Sequence, residues 1–387
     1  MATAEDSGGT PGAPAAGGTA VAEGRTFPCE RCGADLVFSI GAQRLRCEHC
    51  GFERALEFDP SRKVEEHDLD QALRGIARRR SEAAPPAEGR RELRCESCGA
   101  TVVFQGTLAA SACAYCGEPV QREKAYDAPD RIPVDGLLTF LVPGEQARAA
   151  LRAWVKGRWF APTEFTKRGV DGRLEGVYLP FYTFDAMTAT AYRGERGDHY
   201  TVTVRVGNQT RNEIRTRWSP ASGAFQRFFD DVLVPAFRSL PGELLVKLEP
   251  WPLERSVPFT EGALAGKLAH TYDLELPAGF AAARERIDSA IVDEVRGRIG
   301  GDEQRVEDVR TQYAGLTYKH LLLPVWLLAY RFHERSFRVA INAVTGQVHG
   351  ERPWSVVKIG FAVAAGLLAA GIVWWLSQGG GSGTGGY

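Results

Sequence analysis

The chain has 387 residues, 44% of them hydrophobic and 25% charged, with a formal net charge of −1. That length holds two or three compact units with real cores, and the near-zero balance gives no global attraction for a polyanion such as nucleic acid. All eight cysteines fall in Cys-x-x-Cys pairs, and the acidic, Gly/Ala/Pro-rich start lacks the basic and apolar regions of a secretory signal. The reading is therefore of thiols in a reducing compartment rather than a disulfide framework.

In chain order, residues 1–26 read as a disordered leader, too poor in apolar side chains to offset the entropy of ordering. A first zinc ribbon spans 27–58, with Cys29, Cys32, Cys47 and Cys50. A helical linker covers 59–90, where Leu69, Leu73 and Ile76 recur at helical spacing before Pro85 and Pro86. A second ribbon spans 91–125, with Cys95, Cys98, Cys113 and Cys116. In each copy 14 residues separate the two pairs, and "DLVFSI" and "TVVFQG" between them have strand composition.

The chemistry of these pairs is specific. A Cys-x-x-Cys knuckle offers two thiolates to one side, and two knuckles close a tetrahedron around zinc. Glycines follow each pair at Gly33, Gly51, Gly99 and Gly117, where a knuckle calls for positive φ. Four thiolates leave no open coordination position, so the expected cofactors are two structural Zn2+ ions rather than a catalytic metal. Iron in a rubredoxin-like site is the alternative, and His49 reads as a solvent-facing knuckle residue. The ribbons carry five basic against five acidic residues from Arg25 to Glu57, and five against four from Arg90 to Lys124. Such a balance favours protein contact over phosphate binding.

From 131 to 350 the chain reads as a β-rich α+β domain, giving α+β as the class of the whole. "EQARAALRAWVKGRWF" and "AGFAAARERIDSAIVDEVRGRIG" read as amphipathic helices, the second ended by Gly300 and Gly301. "VYLPFYTFDAMTATAYRG" and "HYTVTVRV" read as separate strands, the latter entering a hairpin at Gly207–Asn208. Between them "YRGERGDHY" reads as a charged turn, with Arg193, Glu195, Arg196, Asp198 and His199 as the candidate surface loop. Trp326, Leu328, Tyr330 and Phe332 alternate onto one strand face. Leu179-Pro180-Phe181-Tyr182 and Leu323-Pro324-Val325-Trp326 faintly echo each other, as an internal duplication would.

Residues 354–376 read as a transmembrane helix, since Ile359–Leu376 holds 18 residues without a charge, near the minimum for a span. Residues 377–387 form a Gly-rich tail. Arg352 and Lys358 flank the near end and no cation follows the far end, so the positive-inside rule keeps the N-terminal part cytoplasmic. This is a tail-anchored, single-pass protein of the inner membrane. Ala362, Gly366 and Ala370 form a small-xxx-small stripe suited to helix–helix association, although ordinary span composition gives the same spacing.

"CERCGADLVFSIGAQRLRCEHCG" resembles the zinc-binding insertion of primosomal replication helicases and the ribbon of general transcription factor IIB. A motor is excluded, because Gly266-Lys267 is followed by Leu268 and lacks a phosphate-cradling loop. Across most of the chain, the cysteines, "GVYLPFYTFDA", "YRGERGDHY", and "LLPVWLLAYRF" through "NAVTGQVHGERPWSVVKIGF" resemble bacterial zinc-ribbon membrane proteins catalogued as primosomal-protein-N′-like. That resemblance implies a non-catalytic protein associated, in some members, with membrane-stress complexes containing SPFH (flotillin-like) partners. The expected function is a membrane-anchored adaptor presenting its ribbons for protein–protein contact. The alternatives are a membrane-tethered nucleic-acid binder and an enzyme with an unrecognised site in 131–350.

Overall fold

The computed structural model describes residues 27–56, 63–81, 91–94, 101–103, 110–112, 119–121, 126–127, 131–160, 162, 174–206, 209–238, 240, 242–332, 335–351 and 355–379. The architecture is mixed α+β. A small antiparallel sheet, β1 (Leu36–Ser39), β2 (Arg44–Cys47) and β3 (Glu53–Ala55), carries the first cysteine module. A 12-stranded sheet carries nearly everything else.

Three very long strands form the spine of that sheet: β11 (Leu174–Val206), β12 (Gln209–Pro235) and β15 (Glu303–Phe332). β12 and β15 flank β11 antiparallel, and the β11–β12 register closes at Val206↔Gln209, bracketing the expected hairpin turn. The lower ends are widened by β10 (Gly136–Leu137), β14 (Leu268–His270), β16 (Arg335–Asn342) and β17 (Val348–Gly350). Together these strands form a base, from which the upper halves of β11, β12 and β15 continue as an arm. Beyond Gly197, where β15 begins opposite, the arm is two-stranded.

The base is buried on both faces of the sheet. On β15, Leu322, Trp326 and Leu328 join one apolar cluster, while Leu321, Leu323, Val325 and Leu327 join another on the opposite side. Trp326 and Leu328 do share a face as their spacing predicts, but the intervening residues are buried as well. The strand is therefore a central one rather than half-solvated. Tyr330 and Phe332 have side chains outside the description. Helix α2 (Gly144–Lys156) covers the first face through Ala147, Leu151 and Val155. Phe237, Leu240 and Trp251, with the short helix α3 (Gly242–Val246), cover the other.

Helix α1 (Leu69–Ser81) is more than a spacer between ribbons. Its Leu69 and Ile76 pack against Tyr182 and Tyr318, and the preceding strand β4 (His67–Asp68) pairs with β15. The long helix α4 (Leu276–Ile299) buries Ile287, Ile291, Val295 and Ile299 along one face of the arm. It ends at Gly300 with φ +67°, the positive-φ stop anticipated for that glycine.

One reading is corrected. "YRGERGDHY" is no turn: Tyr192–Tyr200 runs without a break through β11 and is paired to β12 throughout. Its glycines serve close approach, since a Cβ on Gly194 would lie 2.2 Å from the Arg305 carbonyl oxygen, and one on Gly197 2.8 Å from Thr216. The two Leu-Pro stretches are direct cross-strand neighbours, with Leu179 opposite Leu323 and Tyr178 opposite Pro324.

Helix α5 (Val356–Gly379) contains the apolar stretch Val357–Trp375, a helix long and apolar enough to cross a membrane, with none of it buried against the rest of the chain. Ala362, Gly366 and Ala370 lie on this unpacked helix, and a Cβ at Gly366 would meet nothing within 4 Å.

Candidate metal centre

The first module is built from two turns of matching geometry. In one, Gly33 N–H donates to the Cys29 carbonyl at 2.8 Å and Cys29 N–H to Ala34 at 2.7 Å. In the other, Gly51 N–H donates to Cys47 at 3.0 Å and Cys47 N–H to Phe52 at 2.8 Å. Gly33 and Gly51 take φ of 71° and 72°. No atom lies within 4 Å of a Cβ at either, so it is the left-handed backbone, not crowding, that calls for glycine.

These turns bring Cys29, Cys32, Cys47 and Cys50 together, all four sulfurs within 4.8 Å of one another. The Cys29–Cys50 and Cys32–Cys47 separations are 3.6 and 3.5 Å. A disulfide needs about 2.05 Å, whereas a tetrahedron with zinc–sulfur bonds of about 2.3 Å has edges of roughly 3.8 Å. The set therefore fits one four-thiolate zinc site. His49, exposed, stands outside it.

The sulfurs are electrostatically unlike. The Cys47 thiol is lowered to about 6, foremost by the Cys50 backbone N–H, against burial and with help from the His49 N–H. At Cys32 the Ala34 N–H pulls downward but is outweighed by the Cys50 thiol, desolvation and the other two thiols, which push it to about 12. Four sulfurs this close cannot all be anionic without a cation, and so they share protons. A divalent ion bound here would replace those protons and staple the two turns, with no coordination position left for substrate.

The module is seated on the base rather than displayed on a tether. Cys29, Leu36, Phe38, Leu45 and Cys47 share a cluster with Leu137, Phe140 and Leu264. Phe38 N–H donates to the Ala265 carbonyl at 3.0 Å, and the Gln43 amide to that of Phe140 at 2.8 Å. Two of the ribbon cations are paired locally, Arg54 with Glu30 at 3.1 Å and Arg44 with Glu53 at 3.8 Å.

Cys95, Cys98, Cys113 and Cys116 lie outside the described residues, as do Gly99 and Gly117. Of that module, β5 (Arg91–Arg94), β6 (Thr101–Val103) and the paired strands Ala110–Ala112 and Pro119–Gln121 are described, and β6 pairs with β14 in the large sheet.

The five residues of the charged stretch do not converge. Arg193 faces Asp308 at 3.6 Å and Glu195 meets Arg305 at 3.1 Å. Arg196 pairs with Asp198 at 2.9 Å, and His199 with Glu303 at 2.6 Å. They are ladder and ion-pair contacts of a strand. A third acidic group, Asp185, Asp230 and Asp231, is likewise structural. Asp185 accepts from the Asp231 N–H at 2.6 Å and the Thr317 hydroxyl at 3.0 Å, and Lys319 supplies the positive charge 2.7 Å from Asp231.

Sequence reasoning passed over two buried histidines in the base, His270 and His320, beside a cavity of about 150 Å³ that Arg131, Thr271 and Tyr272 also line. His320 Nδ1 contacts the Pro133 carbonyl at 3.0 Å, and a carbonyl only accepts. The proton is therefore on Nδ1, leaving a bare, buried Nε2 with no hydrogen-bond partner among the described residues. Neither histidine belongs to a spaced motif, so no local signal announces them.

No family model matches this sequence, and no solved structure matches it. The chain is 26% identical over 340 residues to the uncharacterized protein YdjG of Bacillus subtilis (strain 168), a match covering 86% of this chain and 92% of that one.

Proposed function

We propose that the protein is a non-catalytic, zinc-binding adaptor anchored in the bacterial inner membrane by α5, with its N-terminal part in the cytoplasm. The observation that carries this reading is the four-cysteine cluster in a chain that also bears a fully unburied apolar helix. A four-thiolate ion folds its module and leaves no site for chemistry, and such a helix needs a bilayer to cover it. The second cysteine module, by its repeated spacing, holds a second zinc. A protein partner, of the SPFH (flotillin-like) kind that the sequence resemblance implies, engages the cytoplasmic part. The balanced charge of the ribbons, with Arg44 and Arg54 paired locally, favours protein over nucleic acid.

Affinity capture of the full chain from detergent-solubilised membranes, beside a salt titration of its binding to single- and double-stranded DNA, tests the reading. A defined stoichiometric protein and weak DNA binding are expected. Tight DNA binding that falls steeply with salt and no protein partner overturns it in favour of a tethered nucleic-acid binder. Metal analysis is expected to give two zinc ions per chain.

A further inference from the structure

The root of α5 is joined to the base at a surface whose chemistry points to a ligand. The turn after α2 is tied to the start of the apolar helix: Ser355 N–H donates to the Phe160 carbonyl at 2.8 Å. Ser355 lies two residues before Val357, where the apolar stretch begins, which is about 3 Å along a helix axis. The turn therefore lies at the level where that helix meets the headgroups.

Three features of this surface are unexplained by the fold. Trp159 is 65% exposed, with its ring edge-to-face on Phe160 at 5.1 Å. A large indole held in water beside an apolar helix is costly, whereas the interface between headgroups and acyl chains is where tryptophan is most at home. Next, the indole Nε1–H of Trp154 and the guanidinium Nε–H of Arg158 are both buried and have no hydrogen-bond partner among the described residues. They are neighbours, Arg158 lying 4.8 Å over the Trp154 ring. Both of these atoms are covered by protein, so Arg158 acts on the surface through its charge.

The third feature is charge. Residues 144–160 carry Arg148, Arg152, Lys156 and Arg158 against Glu145 alone, and Arg152 and Lys156 are exposed. Burial, and then the charges of Lys247 and Arg158, hold the imidazole of His349 on β17 below its usual range. Its surroundings are thus a positive field.

We propose that the end of α2, the Trp159–Phe160 turn and β17 form a docking surface for the anionic phospholipid headgroups around α5. Arg152 and Lys156 supply the attraction to the anionic leaflet, the Arg158 guanidinium over the Trp154 ring adds its charge, and Trp159 enters the interface. The surface makes the base lie on the bilayer instead of swinging from its anchor. This rests on the membrane anchoring proposed above.

The test uses the full chain reconstituted in phosphatidylcholine vesicles, with and without phosphatidylglycerol, carrying bromine either near the headgroup end of the acyl chains or near their tips. The emission of the protein minus that of W159F isolates Trp159, while Trp374 and Trp375 report α5. The expected result is loss of Trp159 emission to shallow bromine, greater with phosphatidylglycerol. R152Q and K156Q each lower the docked fraction about fivefold, and the double variant R152Q/K156Q removes the preference for anionic lipid. Trp159 emission untouched by bromine while Trp374 and Trp375 are quenched overturns the docking surface and leaves the anchoring intact. Trp374 and Trp375 untouched as well overturns both.

Discussion

Strand β11 is held at its base and at its tip by opposite physics. From Val177 to Phe184 both of its faces are buried, and Tyr178, Leu179 and Tyr182 are entirely inaccessible. From Tyr200 onward it is a two-stranded ribbon in water, with Tyr200 40% and Ile214 71% exposed. The base is a hydrophobic object into which the metal centre, α1, α2 and α4 are all built. The tip depends on cross-strand pairing and ion pairs, each worth little alone. One continuous ladder thus joins a region of high local stability to one of low local stability.

The contrast can be broken most strongly at the metal centre. Since structural zinc in small modules contributes on the order of 10 kcal/mol, a chelator or Cys47→Ala is expected to melt the docked module and open the base, with the tip's hydrogen exchange little changed. Leu179→Ala, at a fully buried site, should cost about 4 kcal/mol in denaturant unfolding. Ile291→Ala strips one of α4's contacts to the arm and is expected to cost about 2 kcal/mol, read as faster exchange in the arm before the base.

Acidity separates the two regions by sign. Burial lowers His270 to about 4 and lowers His320 as well, so both contribute stability above pH ~6.5 that is lost as the pH falls through the range below it. At the tip, the hydrogen bond to Glu303 raises His199 and the same bond lowers Glu303. The histidine's share is present below pH ~6.5 and lost as pH rises through its raised value. The glutamate's share is present above pH ~4.5 and lost as pH falls through its lowered value. Going from pH 7.5 to 5.5 should therefore loosen the base and tighten the tip, as amide exchange corrected for intrinsic rate will show. H199Q should abolish only the second response, and a common direction in both regions would contradict the assignment. The smallest effect is expected at Ile214→Ala, within about 0.5 kcal/mol, because the side chain is already in water.

How much of this could be read from the residues depended on the range of the forces involved. The metal turns were legible because their chemistry is local: cysteine spacing and the left-handed glycines Gly33 and Gly51 lie within a few residues of each other. The amphipathic helices and the hairpin at 207–208 were legible for the same reason. The strand through "YRGERGDHY" was not, since Gly194 and Gly197 carry the mark of a turn while answering to partners on other strands, Gly194 to Arg305 and Gly197 to Thr216. Docking was likewise hidden. The strands "LVF" and "TVV" look alike, yet β1 pairs with β2 in the small sheet and β6 is stitched to β14 in the large one. The partner decides, and it is encoded elsewhere in the chain.

The unbroken run of β11 has a consequence of reach. Thirty-three residues at about 3.3 Å each give a strand on the order of 110 Å in contour, more than three times the roughly 30 Å hydrocarbon core of a bilayer. A hydrogen-bonded strand without an internal loop does not fold back at a hinge. Whatever meets the tip is held far from whatever meets the base, and a load applied at Tyr200 is carried through the ladder to the layer where Tyr178 packs.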